Sequence, residues 1–276
     1  MSREPETRDI ATLAWRDDET FDVAGVTFRA SHIDRFRTPS GRFWLVKTPR
    51  MVERYRELLS SLRPERILEL GIYQGGSAAF FALLCQPERL VAVDISDDPV
   101  VGLERFIGER GLRDRVRTHY SLDQADVSAL HRLVAKEFGG APLDLVVDDA
   151  SHQLGPTRAS FNALFPHLRP GGVFVIEDWS WHHRLDARLQ ARADRDDVMW
   201  TKLAEHALLG TTPTPLSVLL LELVLGSAYA PDVIAEIVIT NGWAHVVRGD
   251  RDLDPDAFDV SGIYSDTARA LIARNT

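Results

Sequence analysis

The chain has 276 residues, enough for a large core in one or two domains, and its 45% hydrophobic and 26% charged content is ordinary for a globular protein. A net charge of −9 with no long basic run speaks against nucleic acid or an anionic membrane as a partner. The single cysteine, Cys85, excludes an internal disulfide and suits a reducing compartment.

Cys85 lies in an apolar helical stretch and reads as a buried, inert thiol. Residues 1–20 are polar and acidic. They lack a basic start and an apolar core, so they read as a loose leader rather than a signal peptide. The longest apolar run, around residues 216–225, is broken by Ser217 and Glu222 and falls short of a membrane span. A cytoplasmic protein is expected.

Residues 21–28 alternate weakly around Gly25, as a short strand or hairpin arm. Thr38-Pro39-Ser40-Gly41 is turn chemistry. Thr48-Pro49 reads as an N-cap with proline at the first helical position, starting a helix to about Leu62. Then strands and helices alternate. Strands are expected at 66–70, 90–95, 116–120, 143–149 and 173–178, and helices at 77–86, 99–110, 125–138 and 155–168. Gly111 and Gly139-Gly140 close two of the helices, and Pro170-Gly171-Gly172 turns into the fifth strand. Helices of this length between strands imply a parallel sheet with right-handed crossovers. Residues 182–209 read as a charged helix and 216–225 as an apolar one. Asn241-Gly242 then joins strands at 233–240 and 243–247 in a hairpin, and a last helix spans 265–274. The expected fold is α/β: a doubly wound, mostly parallel seven-stranded sheet with a terminal antiparallel hairpin. Residues 1–63 would form a leader and cap segment, and 64–276 the main domain, with a helical insertion at about 180–230.

Two apolar strands end in acidic pairs, Asp148-Asp149 and Glu177-Asp178. A strand buried on both faces has no use for charge until it leaves the sheet. In parallel strands both pairs reach the carboxyl rim, where open α/β sheets bind ligands. Asp149, Glu177 and Asp178 therefore read as ligands of a divalent metal, with His152 beside Asp149 as a base. Asp148 and Asp149 point to opposite sides of a strand, which gives Asp148 to the cofactor or substrate. Helix capping is the competing reading for Asp148 and Asp149, but it does not account for Glu177-Asp178. Trp179, Trp181, His182 and His183 follow at the same rim, where the tryptophans could stack on a sugar or simply pack.

The turn after the first strand is Glu69-Leu70-Gly71-Ile72-Tyr73-Gln74-Gly75-Gly76-Ser77. Its spacing is not that of the dinucleotide fingerprint, and Glu69 would repel a pyrophosphate. A carboxylate there suits a ligand with a cationic amino group, such as S-adenosylmethionine. Glu69, Gly71, Tyr73, Gly75 and Ser77 would line it, and Asp94 would accept from ribose hydroxyls. Asp123 and Gln124 sit where an adenine edge would be read, although Asp123 could equally cap the next helix.

These elements resemble a class I S-adenosylmethionine-dependent methyltransferase. More narrowly, the chain resembles the metal-dependent sugar O-methyltransferases of mycinamicin and rhamnosyl type and the related cephalosporin hydroxylase-like family. The resemblance rests on Lys47-Thr48-Pro49, Glu69-Leu70-Gly71 with Gly75-Gly76-Ser77, Asp149-Ala150-Ser151-His152, and Arg169-Pro170-Gly171-Gly172 leading to Ile176-Glu177-Asp178. It covers roughly residues 45 to 180. It implies a Rossmann-like fold, Mg²⁺ or another divalent cation as second cofactor, and methylation of a sugar or polyhydroxylated small molecule with neighbouring hydroxyls, in antibiotic biosynthesis. It also suggests a homo-oligomer. A catechol-type O-methyltransferase, a non-catalytic adenosylmethionine-binding protein and a metal hydrolase are the alternatives.

Overall fold

The computed structural model describes residues 10–31, 42–181, 183 and 214–274. The turn expected at 38–41, nearly all of the helix expected at 182–209, and His182 lie outside the described residues. The chain divides into two compact units, 1–123 with 133–146, and 124–132 with 147–276.

The first unit holds a four-stranded sheet, β1 (Leu13–Trp15), β2 (Thr20–Val23), β3 (Val26–Ala30) and β4 (Arg42–Leu45). The first three strands are antiparallel, and β4 runs parallel to β3. The hairpin arm expected at 21–28 is thus β2 and β3. The leader reading of residues 1–20 is corrected at β1. Three residues carry no periodic signal, and β1 is held instead by pairing with β2 and by Trp15, which lies 4.8 Å from the Phe21 ring.

Helix α1 (Pro49–Leu62) begins as the sequence predicts: the Thr48 side chain accepts from the Met51 N–H and Pro49 takes the first turn. Then come β5 (Arg66–Leu70), α2 (Gly76–Cys85), β6 (Arg89–Val93), α3 (Val101–Glu109), β7 (Val116–His119), α4 (Val127–Phe138) and β8 (Leu143–Asp148). Strands β5, β6 and β7 are parallel neighbours. Helix α2 is apolar all round and nearly every residue of it is buried. Phe80 stands edge-on to Phe21 and Phe28, which ties this helix to the small sheet. Cys85 is buried, and burial pushes its thiol up to about 12, so it is inert as expected.

The second unit continues with α5 (Leu154–Leu164), β9 (Leu168–Glu177), α6 (Ser217–Tyr229), β10 (Ile234–Thr240), β11 (Trp243–Arg248) and α7 (Asp266–Arg274). Strand β9 starts five residues before the expected position, so Pro170-Gly171-Gly172 lies inside it rather than before it. Its pairing with β11 nevertheless covers only Val173 to Glu177, the stretch read as the strand. The Asn241-Gly242 hairpin is present, with Gly242 at φ +77°. The large sheet has the order β10-β11-β9-β8-β5-β6-β7 and is mostly parallel, with β10 and β11 antiparallel, matching the expected fold class.

Two histidines of the second unit make its stability depend on pH. Burial holds both His167 and His245 below the ordinary histidine range, and the neighbouring His131 adds to the effect on His167. The unfolded chain takes up these protons near pH ~6.5, whereas the folded chain resists until lower pH. Their contribution is therefore complete above pH ~6.5 and is lost as the pH falls through the depressed folded values. Melting temperature should fall between pH 7.5 and 5.5, and His245→Phe should flatten that fall. An unchanged slope in the variant would contradict the assignment.

Candidate active site

In the second unit, the chain leaving β8 turns sharply. His152 has φ +55°, a left-handed backbone that histidine tolerates better than most residues. At the end of β9, Asp178 also turns left-handed, at φ +48°. Its N–H donates to the Gly242 carbonyl at 2.7 Å, and its carbonyl accepts from the Trp181 N–H at 2.8 Å. These two turns bring ligand atoms of Asp149, His152 and Asp178 within 4.8 Å of one another, all three residues half-buried. His152 Nε2 is 4.0 Å from Asp149 Oδ1, while Nδ1 is buried with no hydrogen-bond partner. Two carboxylates and an imidazole with a buried ring nitrogen form a donor set that fits a divalent cation.

Glu177, read from the sequence as a third ligand, is not among the converging side chains. It is enclosed at the end of β9, paired in register with Trp243. Trp179 donates its indole N–H to the Thr240 carbonyl at 2.8 Å, and Ser180 donates to Asn241 Oδ1 at 3.1 Å. The segment after β9 is thereby pinned to the β10–β11 hairpin. His183 Nε2 lies 2.9 Å from the Ser217 hydroxyl.

Asp148 and Gln124 are placed differently from the reading that faced them toward a cofactor. Asp148 is fully enclosed. Its Oδ2 accepts from the Ser160 hydroxyl at 2.5 Å, and both its oxygens accept from Gln124 Nε2, at 3.2 and 3.0 Å. Burial pushes this carboxyl above the usual range, against the pull of Ser160. Gln124 is buried too, and its Oε1 accepts from the Ser151 N–H at 2.8 Å. Its side chain thus turns inward, where its polar groups are matched. Asp123 is exposed.

The first unit carries the glycine turn. Gly71 has φ +98° and Gly75 φ +78°, values that a side chain would strain. Tyr73 also adopts a positive φ, +49°, and its side chain is exposed. Asp94 latches the turn: its Oδ2 accepts from the N–H groups of Ile72 at 2.8 Å and Tyr73 at 3.0 Å, and its Oδ1 accepts from Ser96 at 2.9 Å. A carboxylate oxygen accepts about two bonds, so Oδ1 keeps one direction for a hydroxyl. Glu69 is fully enclosed within β5, and Ser77 is half-buried in the first turn of α2. Tyr73, His152 and Asp178 are three of the seven described non-glycine residues with positive φ, and two of the others, Arg63 and Gln86, cap helices.

Residues 68–179 match a family model described as a methyltransferase domain. This stretch is similar to a methyltransferase domain. Among curated proteins, mycinamicin VI 2''-O-methyltransferase of Micromonospora griseorubida is 34% identical over 151 residues, which is 52% of this chain and 34% of the relative. The 8-demethyl-8-(2-methoxy-alpha-L-rhamnosyl)-tetracenomycin-C 3'-O-methyltransferase of Streptomyces olivaceus is 37% identical over 123 residues, 42% of this chain and 28% of the relative. The chain therefore spans about a third of the length of these two curated relatives. A solved structure of MycE methyltransferase with Mg, SAH and mycinamycin VI aligns over 75% of this chain and 51% of its own, at 26% identity and a TM-score of 0.49.

Gly76, the glycine of the turn that was not assigned to the ligand, has a packing role. A Cβ at Gly76 would sit 1.9 Å from the Trp44 carbonyl oxygen, so its lack of a side chain admits β4. Ser160, the closest partner of Asp148, was not singled out at all. It is an ordinary helical serine in sequence, and only the fold brings it to the strand end.

Proposed function

We propose that this chain is an S-adenosylmethionine-dependent, metal-assisted O-methyltransferase acting on a hydroxyl of a sugar or polyhydroxylated small molecule. The observation that carries the proposal is the convergence of Asp149, His152 and Asp178 within a stretch similar to a methyltransferase domain. Both relatives are O-methyltransferases, and the second is named for a rhamnosyl-bearing compound, which supports a glycosylated acceptor.

In this reading, adenosylmethionine lies along the turn from Glu69 to Ser77. Gly71 would leave the backbone open to it, and the remaining acceptor direction of Asp94 Oδ1 would take a ribose hydroxyl, whereas Gly75, where a Cβ would meet Leu103 at 2.7 Å, serves the packing of α3. Asp149 and Asp178 would hold the cation, and Glu177, enclosed at the end of β9, stands outside the converging group. When bound, such a cation stabilises negative charge on the acceptor oxygen. His152 removes the hydroxyl proton as the C–O bond forms and the C–S bond of the sulfonium breaks. Asp149 Oδ1 lies 4.0 Å from its Nε2.

The test is methyl transfer from labelled adenosylmethionine to a panel of rhamnosides and other vicinal diols, with chelator and with Mg²⁺ restored. Transfer that vanishes with chelator and returns with Mg²⁺ supports the proposal; transfer indifferent to chelator removes the metal from it. The role of His152 is tested separately. His152→Gln should lower kcat by roughly 10²–10⁴-fold with Mg²⁺ affinity within a few-fold of wild type. Loss of Mg²⁺ affinity in that variant would make His152 a ligand instead of a base.

A further inference from the structure

We infer that Gln124 is a positioning residue: its one side-chain amide sets the loop that carries Asp149 and His152. The inference rests on the metal reading of those residues, and it extends that reading to a group outside the cluster.

The loop from Asp149 to His152 carries one local bond from Ala150 N–H to Asp148 Oδ1 at 3.4 Å and one from Gln153 N–H to the Ser151 hydroxyl at 3.3 Å. It leaves β8 at Asp148 and adopts an unfavourable left-handed backbone at His152. Something must hold both sides of that turn. Gln124 does so with its two ends. Its Nε2 binds both oxygens of Asp148, the residue before Asp149. Its Oε1 binds the Ser151 N–H, on the residue before His152. The two residues of the cluster supplied by this loop therefore each follow a residue fixed by the same amide. Gln124 itself is buried and packed in the interior, so it cannot easily swing away. Glutamine offers a donor and an acceptor on one planar amide, on a longer arm than asparagine.

The bland account is that Gln124 merely satisfies a buried carboxylate. Ser160 separates the two accounts, because its hydroxyl also binds Asp148 but does not touch Ser151. If satisfying Asp148 were all that mattered, losing either partner should act alike. If the loop is set through Ser151, Gln124→Leu should harm the cluster far more than Ser160→Ala.

The experiment measures Mg²⁺ affinity by calorimetry on wild type, Gln124→Leu and Ser160→Ala, with adenosylmethionine affinity and amide exchange over residues 149–153 recorded on each. Outer partners of ligands commonly change metal affinity by about 10–100-fold. We expect Gln124→Leu to weaken Mg²⁺ by a factor in that range, to speed amide exchange at Ser151, and to leave adenosylmethionine affinity within about threefold. Ser160→Ala should weaken Mg²⁺ by a smaller factor and leave Ser151 protected. Equal effects of the two variants on Mg²⁺ and exchange would overturn the inference. So would a larger loss of adenosylmethionine than of Mg²⁺ in Gln124→Leu, which would return the amide to the cofactor. If wild type binds no Mg²⁺, the metal reading fails. In that case faster Ser151 exchange confined to Gln124→Leu still establishes the loop anchor, and unchanged exchange removes it. Should Gln124→Leu not fold, Gln124→Asn keeps both groups on a shorter arm and the same comparison is made with it.

Discussion

Asp149→Ala is expected to abolish Mg²⁺ binding and to lower methyl transfer on the order of 10³-fold, the scale of removing one electrostatic support from a developing charge. Asp178→Ala should do the same, since both carboxylates converge with His152. The fold should survive, because the Asp149 side chain is about a quarter exposed (25%). Thermal melting distinguishes lost chemistry from lost structure. A ligand that binds only the folded state raises stability by about 2.7 kcal/mol at a hundred times its dissociation constant. Wild type should therefore melt higher with excess Mg²⁺, and both alanine variants should not respond. Without metal, Asp149→Ala should melt no lower than wild type, whereas Asp178→Ala should melt somewhat lower because alanine fits the left-handed backbone at φ +48° less well than aspartate. A variant that keeps its Mg²⁺ response and its activity would remove Asp149 from the site.

Gly76→Ala should give a large loss of stability from a single methyl group. The added Cβ would meet the Trp44 carbonyl oxygen at 1.9 Å and its carbon at 2.8 Å. Both contacts are backbone, so no rotamer change relieves them, and β4 must move away from α2. Overpacking of this kind costs about 3 kcal/mol, or roughly 6–12 °C in melting temperature for a chain of this size. Gly102→Ala is the matched control. That glycine lies in α3 with nothing within 4 Å of a built Cβ, and alanine is the better helix former there by about 0.5–1 kcal/mol. The same chemical change should thus lower the melting temperature at one position and leave or raise it at the other. Equal effects would show that the approach of β4 to α2 is not tight.

The elements that could be read from the sequence are those fixed by local chemistry. Thr48-Pro49 sets a helix start because a hydroxyl and a ring act on the next three residues. Gly139-Gly140 ends α4 with two positive φ angles, and Asn241-Gly242 turns a hairpin, for equally local reasons. The acid-ended strands were legible because charge inside a doubly covered sheet is costly. What escaped depends on partners far along the chain. Strand β1 exists only by pairing, and β4 lies beside β3, whose end is twelve residues earlier. Gln124 faces inward because Asp148 and Ser151 meet it there, a contact across 24 and 27 residues. The grouping of His152 with Asp149 and Asp178, in place of Glu177, follows from two left-handed turns. Histidine and aspartate adopt that backbone more readily than most residues, yet nothing in their spacing announces it. Asp94 was placed correctly after β6, but as the latch of the glycine turn it has less freedom for a ribose than its position alone suggested.

The most direct test is calorimetric titration of adenosylmethionine and of Mg²⁺ into wild type and into Asp149→Ala. The account predicts that wild type binds both, and that Asp149→Ala retains adenosylmethionine while losing the Mg²⁺ signal. Wild type that binds adenosylmethionine but no divalent cation would contradict the metal-assisted mechanism. Wild type that binds no adenosylmethionine would contradict the methyl-transfer reading itself.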